Sequence, residues 1–162
     1  VKAGHNVIVA RTFSKIYGLA GLRVGYLIAS EENTAWINNY GMAGYTLNQT
    51  GLAAAIASYN DDAFITFSKE KIVEAKGLVM DALKANGLSA LPSSTNFIFV
   101  DLGKGDADLF QAAMAEKAVL IRGTYRSYTN WSRVSMGKIP DVKRYIDAIP
   151  SSLEAMYKKQ NS

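Results

Sequence analysis

The chain has 162 residues, of which 49% are hydrophobic and 20% charged, and its formal net charge is +4. That length supports a globular core, and no run of about 18 consecutive apolar residues predicts a membrane-spanning helix. The absence of cysteine excludes disulfides and thiol chemistry. We expect a soluble, cytoplasmic protein without a metal site. Neither a membrane nor a nucleic acid is expected as a partner, and the modest positive charge suits an anionic small ligand.

The first half of the chain alternates predicted strands and helices. Apolar and β-branched runs at 6–13 and 24–29 predict two buried strands of an α/β sheet. The alanine-rich stretch 47–58 predicts a short helix. Apolar residues that recur every three or four positions predict one long helix over 60–86, with Gly87 as its C-terminal cap.

A second, smaller α/β unit is predicted to begin near Ser89. Its predicted strands cover 96–101, 118–122 and 131–136, and Asp106 is expected to cap a helix that extends to about Lys117. Pro140 suits the first turn of a last helix, which Pro150 is expected to break or kink. The sequence therefore predicts an α/β chain of two parts, residues 1–88 and 89–162.

The stretch RTFSKIYGLAGLRVGY, residues 11–26, places a lysine between a predicted strand and a glycine-rich turn. Partial burial of Lys15 would favour its neutral amine, which can form a Schiff base. The hydroxyls of Thr12 and Ser14 and the guanidinium of Arg23 are groups that bind phosphate. The residues alone also fit a solvated lysine beside a tight turn. The glycine spacing matches neither common nucleotide-binding motif.

The string TFSKIYGLAGLRVGY closely resembles the lysine motif of fold-type I pyridoxal-phosphate aminotransferases, in the branch similar to histidinol-phosphate aminotransferases. The resemblance implies that Lys15 holds the cofactor as an internal aldimine and moves a proton between the substrate Cα and the cofactor. It also implies that Thr12, Ser14 and Arg23 bind the cofactor phosphate. The implied fold is the C-terminal part of such an enzyme, with the end of the large cofactor domain at 1–88 and the small α/β domain at 89–162.

Further stretches extend the resemblance over essentially the whole chain. GYTLNQTGLAAAIA, residues 44–57, is similar to a family segment but has Gly44 and Thr46 where the family has proline and asparagine. STNFIFVDL, residues 94–102, resembles the strand that opens the small domain, and VLIRG with WSRVSMG resembles its paired arginine strands. The resemblance therefore reaches both predicted parts of the chain.

The arginine strands carry the implied substrate contacts. By the resemblance, Arg133 binds the substrate α-carboxylate and Arg122 binds a phosphate on the substrate. The loop between them, GTYRSYTNW, is rich in aromatic residues. Tyr125 and Tyr128 can flank the substrate or pack the loop, and packing is the commoner outcome for such residues.

The resemblance implies a function for the parent protein. It would transfer an amino group between an amino acid or phosphorylated amine and a 2-oxo acid, with pyridoxal 5'-phosphate as cofactor and as a homodimer. The acid beside the cofactor nitrogen, a stacking aromatic residue and an asparagine are expected before Val1. We thus expect this chain to be a fragment, inactive alone and without ordered cofactor. The alternatives are a decarboxylase of the same fold and a non-catalytic packing or dimerisation module.

Overall fold

The structure is a computed structural model that describes residues 1–41 and 46–162. These residues form two compact units, Val1–Lys69 and Glu70–Ser162, and the dividing point lies within one long helix. The mixture of helices and strands confirms the predicted α/β class. The boundary at 88 and 89 concerns the domains of the whole protein and stays a prediction.

The first unit is built on a two-stranded antiparallel sheet. Its elements are β1 (Val9–Thr12), a 3₁₀ turn (Ala20–Leu22), β2 (Gly25–Ile28), α1 (Glu31–Tyr40) and α2 (Gln49–Tyr59). The strands and α2 lie where the sequence predicts them. Helix α1 was not predicted, because most of its residues are polar and its few apolar residues cluster at 35–37, with Tyr40 at its end.

The two strands of this unit are exposed, so the predicted burial is wrong for this chain. Val9 exposes 41% of its surface and Leu27 exposes 51%. The small core of the unit lies just beyond the strand ends, where Phe13, Val24 and Ala55 are buried. An apolar strand sequence indicates that a face can be buried, but it does not say which segment covers that face.

A long helix, α3, extends over Asp62–Ala85 and confirms the predicted helix. Gly87, with a φ of +70°, follows its end as the predicted cap. The predicted apolar stripe also includes Phe64 and Phe67, yet both side chains are exposed. The buried side chains of α3 are those of Ala75, Val79 and Leu83. These residues belong to the core of the second unit, which explains why that unit begins inside the helix.

The second unit packs helices against one face of a three-stranded antiparallel sheet of order β3-β4-β5. Its elements are β3 (Ser89–Ala90), β4 (Phe97–Asp101), α4 (Ala107–Ala115), β5 (Trp131–Ser135) and α5 (Ile139–Gln160). Along β4, Ile98 and Val100 are fully buried in the core while Phe97 and Phe99 are half-buried. Because alternate strand residues point to opposite faces, the two phenylalanines lie on the face away from the core.

Residues 118–122 do not form the predicted strand. Only Arg122 pairs with β5, where it exchanges two backbone N–H···O bonds of 3.0 Å with Arg133. The Ile121 carbonyl accepts a hydrogen bond of 2.9 Å from the side-chain amide of Gln111. This segment is therefore held by one bridge and by a side chain of α4, which the apolar pattern of VLI could not indicate.

Helix α5 begins with Pro140 in its first turn, as predicted, and continues without a break to Gln160. The expected break at Pro150 is therefore wrong, and the alternative of a kink stays a prediction. Proline removes one backbone hydrogen bond from a helix, but buried residues on both sides of Pro150 hold α5 on the core. Those buried residues are Val142, Tyr145, Ala148, Ile149, Ser152 and Met156.

Tyr145 lies in this core, and its hydroxyl has no hydrogen-bond partner among the residues that the structure describes. Burial raises the pKa of the Tyr145 hydroxyl well above its ordinary value of 10.0. In the unfolded chain the proton leaves at that ordinary value, so the unfolded state binds fewer protons above it. The free energy of unfolding is therefore expected to fall as the pH rises above about 10.

We expect Tyr145→Phe to leave the free energy of unfolding at pH 7 unchanged or to raise it by up to about 1 kcal/mol, because an unpaired buried hydroxyl is costly. The same change should reduce the fall in stability above about pH 10. Urea unfolding of the whole protein at both pH values measures this. Tyr157→Phe is the matched control, since the Tyr157 hydroxyl donates to the Leu102 carbonyl at 3.4 Å. A loss of more than about 1 kcal/mol in Tyr145→Phe at pH 7 would contradict the expectation.

Candidate functional site

The Lys15 turn joins β1 to the 3₁₀ turn and is closed by its own backbone. The Gly18 N–H donates to the Lys15 carbonyl at 2.9 Å, and the Leu19 N–H donates to the Phe13 carbonyl at 3.1 Å. Gly18 has a φ of +69°, in the left-handed region that favours glycine. Lys15 is exposed, so the partial burial that would favour a neutral amine is not found, and the buried core of this unit is confined to Phe13, Val24 and Ala55.

The side chains predicted to hold a phosphate come from two stretches that one hydrogen bond joins. The Phe13 N–H donates to the Val24 carbonyl at 3.1 Å, which brings the next residue, Ser14, alongside the preceding one, Arg23. The Thr12 hydroxyl donates to the Ser14 hydroxyl at 2.8 Å, and the Ser14 N–H donates to the Thr12 hydroxyl at 3.0 Å. The structure therefore brings together, at the Lys15 turn, the residues that carry the two hydroxyls and the guanidinium.

Arg23 is held against its own turn. Its backbone adopts a left-handed φ of +53°, and its Nη1 donates to the Ala20 carbonyl at 2.8 Å. The residue is exposed. A guanidinium carries five N–H donors, so this internal bond positions Arg23 and leaves other donors for an anion.

Asn48, which sequence reasoning did not single out, connects this turn to α2. Its Nδ2 donates to the Leu22 carbonyl at 2.8 Å, while its Oδ1 accepts from the Gly51 N–H and caps the helix. A Cβ atom on Gly51 would lie 2.6 Å from Cγ2 of Val24, so close packing requires glycine there. The available signal was an asparagine at the N-cap position of a predicted helix.

Two expectations from the sequence concern residues outside these contacts. Thr46 is exposed, and Gly44 lies outside the described residues.

Within 1–41 and 46–162, no group of histidine, aspartate or glutamate side chains is placed to hold a metal ion. None of the helices described is long and apolar enough to cross a membrane. The expected cytoplasmic location stays a prediction.

In the second unit, Arg133 lies on β5 opposite Phe99 of β4, on the face away from the helices. Its guanidinium carbon is 5.3 Å from the centroid of the Phe97 ring, within the range of a cation–π contact. The Arg133 Nε is buried and has no hydrogen-bond partner among the described residues. Arg122, which pairs with Arg133 through the backbone, is exposed, and its guanidinium carbon lies 5.2 Å from the Tyr125 ring centroid.

Three aromatic rings surround Phe99 on the same face. Trp131 stacks on Phe99 with a centroid distance of 5.3 Å, while Tyr125 and Tyr128 meet it edge-on at 6.2 and 6.1 Å. The two tyrosines therefore pack their loop onto the sheet. These rings also line a cavity of about 490 Å³, which we call the aromatic cleft. Its lining comprises Leu91, Pro92, Ser93, Ser94, Thr95, Phe97, Phe99, Tyr125, Tyr128, Trp131 and Arg133.

A second cavity of about 520 Å³ adjoins the same arginine. Arg122 and Arg133 both contribute to its lining, together with the polar side chains of Gln111 and Thr124. Arg133 thus borders both cavities, whereas Arg122 borders only the second among the cavities described in this unit. The two arginines predicted to contact substrate are therefore brought together, with Arg133 as the shared wall.

Comparison with known proteins links both units to one family. The family model for aminotransferase class I and II matches residues 1–149. Histidinol-phosphate aminotransferase 1 from Dechloromonas aromatica is 36% identical over 155 residues, which cover 94% of this chain and 42% of that protein. The chain therefore spans about two fifths of the length of this relative.

Solved structures give the same result. The histidinol-phosphate aminotransferase from Sinorhizobium meliloti, in complex with pyridoxal-5'-phosphate, superposes with a TM-score of 0.81 at 32% identity, over 92% of this chain and 41% of that one. The L-threonine-O-3-phosphate decarboxylase from Porphyromonas gingivalis superposes with a TM-score of 0.75 at 24% identity, over 93% and 48% of the two chains. The likeness to the decarboxylase shows a shared fold alone.

Proposed function

The chain belongs to the class I and II aminotransferases, and on this premise we propose that the whole protein transfers an amino group between an amino acid or a phosphorylated amine and a 2-oxo acid. The observation that carries this proposal is the Lys15 turn, in which an exposed lysine directly follows the hydrogen-bonded hydroxyls of Thr12 and Ser14, with Arg23 on the adjoining segment. An amine next to an anion-binding set is the arrangement that pyridoxal-phosphate chemistry requires.

The donor set fits pyridoxal 5'-phosphate. We propose that the hydroxyls of Thr12 and Ser14 and the remaining N–H groups of Arg23 bind the phosphate, whose negative charge the guanidinium offsets. The exposed amine of Lys15 is suited to the aldehyde of the same molecule. When bound, the cofactor supplies an electron sink that makes the bonds at the substrate Cα easier to break.

Lys15 has two tasks in this proposal. Its Nζ would hold the cofactor when the cofactor is bound. As a neutral amine, the same Nζ would be the base that takes the proton from the substrate Cα and later returns it. The Gly18 and Leu19 hydrogen bonds that close the turn keep the lysine backbone in one position for both tasks.

The two arginines of the second unit are assigned to the substrate. Arg133 would bind the α-carboxylate through its terminal nitrogens, because a planar guanidinium can form two parallel hydrogen bonds to a carboxylate and so fix the direction of the Cα–H bond. The Phe97 ring supports this guanidinium from one side at 5.3 Å. Arg122, on the wall of the second cavity, would bind a phosphate group of a phosphorylated substrate.

The direct test is an assay of the whole protein with pyridoxal 5'-phosphate, 2-oxoglutarate and a panel of amino donors. The proposal expects a new amino acid from the acceptor and a 2-oxo acid or aldehyde from the donor, both identified by mass spectrometry. Release of carbon dioxide with formation of an amine would instead favour the decarboxylase alternative. No consumption of any donor would contradict the proposal.

Arg23→Ala is expected to weaken retention of pyridoxal 5'-phosphate about ten- to a hundredfold, since hydrogen bonds to a charged group contribute about 1.5–3 kcal/mol. Fluorescence titration of the whole protein with the cofactor measures the change. Arg11→Ala is the matched control, because Arg11 is also exposed but lies on β1 opposite Tyr26. Equal cofactor affinity in the Arg23 and Arg11 variants would contradict the phosphate role.

We also propose that the whole protein is a homodimer. The first unit exposes a group of apolar side chains, and a surface of this kind is suited to contact with further polypeptide. The exposed residues on its strands and the preceding segment are Val7, Ile8, Val9, Leu27 and Ile28. Sedimentation analysis of the whole protein gives the number of copies, and a stable monomer would contradict this part of the proposal.

A further inference from the structure

We propose that the aromatic cleft binds the side chain of an aromatic amino acid, so that aromatic amino acids are preferred donors for the whole protein. This inference rests on the proposed function, because it assigns the side-chain pocket for the substrate of that reaction. The observation that carries it is the presence of Arg133 and five aromatic rings around one cavity of the second unit.

The sheet places these groups on one face. Arg133 pairs with Phe99, and Trp131 is two residues before Arg133 on the same strand, so all three side chains point the same way. The opposite face, with Ile98 and Val100, is buried against the helices. The face that carries the rings is therefore not buried in the core of this unit, and a ligand can contact it.

The walls of the cleft suit a flat ring. Aromatic rings prefer stacked or edge-on partners at centroid distances of about 4.5–7 Å. The cleft already contains both geometries, because Trp131 stacks on Phe99 while Tyr125 and Tyr128 meet Phe99 edge-on. An incoming ring can therefore extend a cluster whose orientation is fixed before the ligand binds.

Residues 93–95 form a polar part of the cleft wall, and most of their hydroxyl groups form internal hydrogen bonds. The Ser93 hydroxyl donates to the Phe97 carbonyl at 2.6 Å, and the Thr95 hydroxyl donates to the same carbonyl at 3.2 Å. Those bonds fix the backbone of the 93–97 segment and direct both hydroxyls toward it. The wall therefore favours an apolar side chain over a strongly hydrogen-bonding one.

Charge complementarity identifies the other end of the ligand. The residues that line the cleft include one cation, Arg133, and no carboxylate. Arg133 forms no ion pair with any residue in the described part of the chain, so its terminal nitrogens can bind a carboxylate. A ligand with a carboxylate at one end and an aromatic ring about two carbons away satisfies both features of the cleft.

The position of Arg122 indicates that phosphorylated amines would use a different cavity from aromatic amino acids. Arg122 lines the second cavity and is absent from the lining of the aromatic cleft. A phosphate held by Arg122 would therefore direct a side chain away from the rings around Phe99. The cavity volume of about 490 Å³ lies within the range of about 300–1,000 Å³ that is usual for small-molecule sites.

A binding experiment tests the cleft without depending on turnover. The probe is 3-phenylpropionate, which has the ring and carboxylate but no amine, titrated into the whole protein by calorimetry. We expect Tyr128→Ala and Trp131→Leu each to weaken its binding at least about tenfold. Trp36→Ala is the matched control, because Trp36 is the other tryptophan of the chain and packs against Tyr40 in the first unit, with ring centroids 4.9 Å apart. This change should leave the affinity unchanged.

Kinetics provide the second measurement. We expect kcat/KM for phenylalanine to exceed that for alanine at least about tenfold, and Tyr128→Ala to remove most of this ratio while changing the alanine value by less than about threefold. Tyr128 is 52% exposed, so this variant should fold even if Trp131→Leu does not. Thermal unfolding of both variants checks their stability.

The possible failures are distinguishable. Transfer from alanine or a phosphorylated amine without a preference for aromatic donors would overturn this inference and leave the proposed function standing. A cleft covered by another segment of the whole protein would give no 3-phenylpropionate binding and a lower unfolding temperature in Tyr128→Ala, which would also overturn it. No transfer from any donor, with no cofactor attached to Lys15, would instead overturn the proposed function.

Discussion

Replacement of Lys15 by alanine is expected to lower kcat/KM for amino transfer by the whole protein at least about 10⁴-fold. Proton transfer by one positioned side chain alone contributes about 10²–10⁴-fold, and Lys15 would also supply covalent attachment of the cofactor. Lys15→Arg should be equally inactive, because a guanidinium keeps the charge but has no neutral amine. Initial rates with a preferred donor and 2-oxoglutarate measure both variants.

The control for this prediction is Lys2→Ala. Lys2 is an exposed lysine of the same unit and lies outside the Lys15 turn, so its loss should change the rate by less than about twofold. If Lys15→Ala retained a rate within about tenfold of the original protein, Lys15 would be the solvated lysine that the sequence alone also allows.

Arg133→Lys is expected to lower kcat/KM for amino acid donors about ten- to a hundredfold. Lysine keeps the positive charge but loses the paired hydrogen bonds to the carboxylate, which contribute about 1.5–3 kcal/mol. Cofactor binding should be unchanged, because this arginine is assigned to the substrate and not to the cofactor phosphate. Donor titrations with the cofactor present separate the two effects.

Two comparisons make the Arg133 prediction specific. In Arg133→Lys, kcat/KM for an amine donor without an α-carboxylate, such as phenethylamine, should fall far less than kcat/KM for phenylalanine. Arg126→Lys is the matched variant, because Arg126 is an exposed arginine whose guanidinium carbon is 5.5 Å from the Tyr125 ring. Equal losses for both donors in Arg133→Lys would mean that Arg133 supports the sheet and does not bind the carboxylate.

The sequence predicted those parts of the fold whose signals are local. Helix α3 followed from a repeating apolar stripe, and its end followed from Gly87, whose positive φ is a property of one residue. Strands β4 and β5 were found for the same reason, since their residues alternate between the two faces of the sheet. Such features depend on a short stretch of chain and need no knowledge of its neighbours.

Other features depend on contacts between distant residues. The apolar strands β1 and β2 were predicted to be buried, yet their exposure is set by what packs on them. The sequence of 118–122 predicts a strand, but the Ile121 carbonyl accepts a hydrogen bond from a side chain of α4. Pro150 signals a helix break, and the burial of Ile149 and Ser152 outweighs it. Local propensity cannot report any of these contacts.

The candidate site also combines features that the local sequence predicts with features that depend on distant residues. The motif around Lys15 singled out Thr12, Ser14 and Arg23, because these residues are close in sequence as well as in space. It could not indicate Asn48, which reaches the Leu22 carbonyl from a later helix. Nor could it show that the aromatic loop 123–131 lies over Phe99, a residue more than twenty positions earlier in the chain.

The most direct test of the central claim is the site at which the cofactor becomes attached. The whole protein would be incubated with pyridoxal 5'-phosphate, reduced with borohydride and digested, and its peptides would be mapped by mass spectrometry. We predict that the added phosphopyridoxyl mass lies on Lys15 in the peptide that contains Ile16 and Tyr17. Attachment to Lys2 or another lysine, or no attachment at all, would contradict the assignment of Lys15.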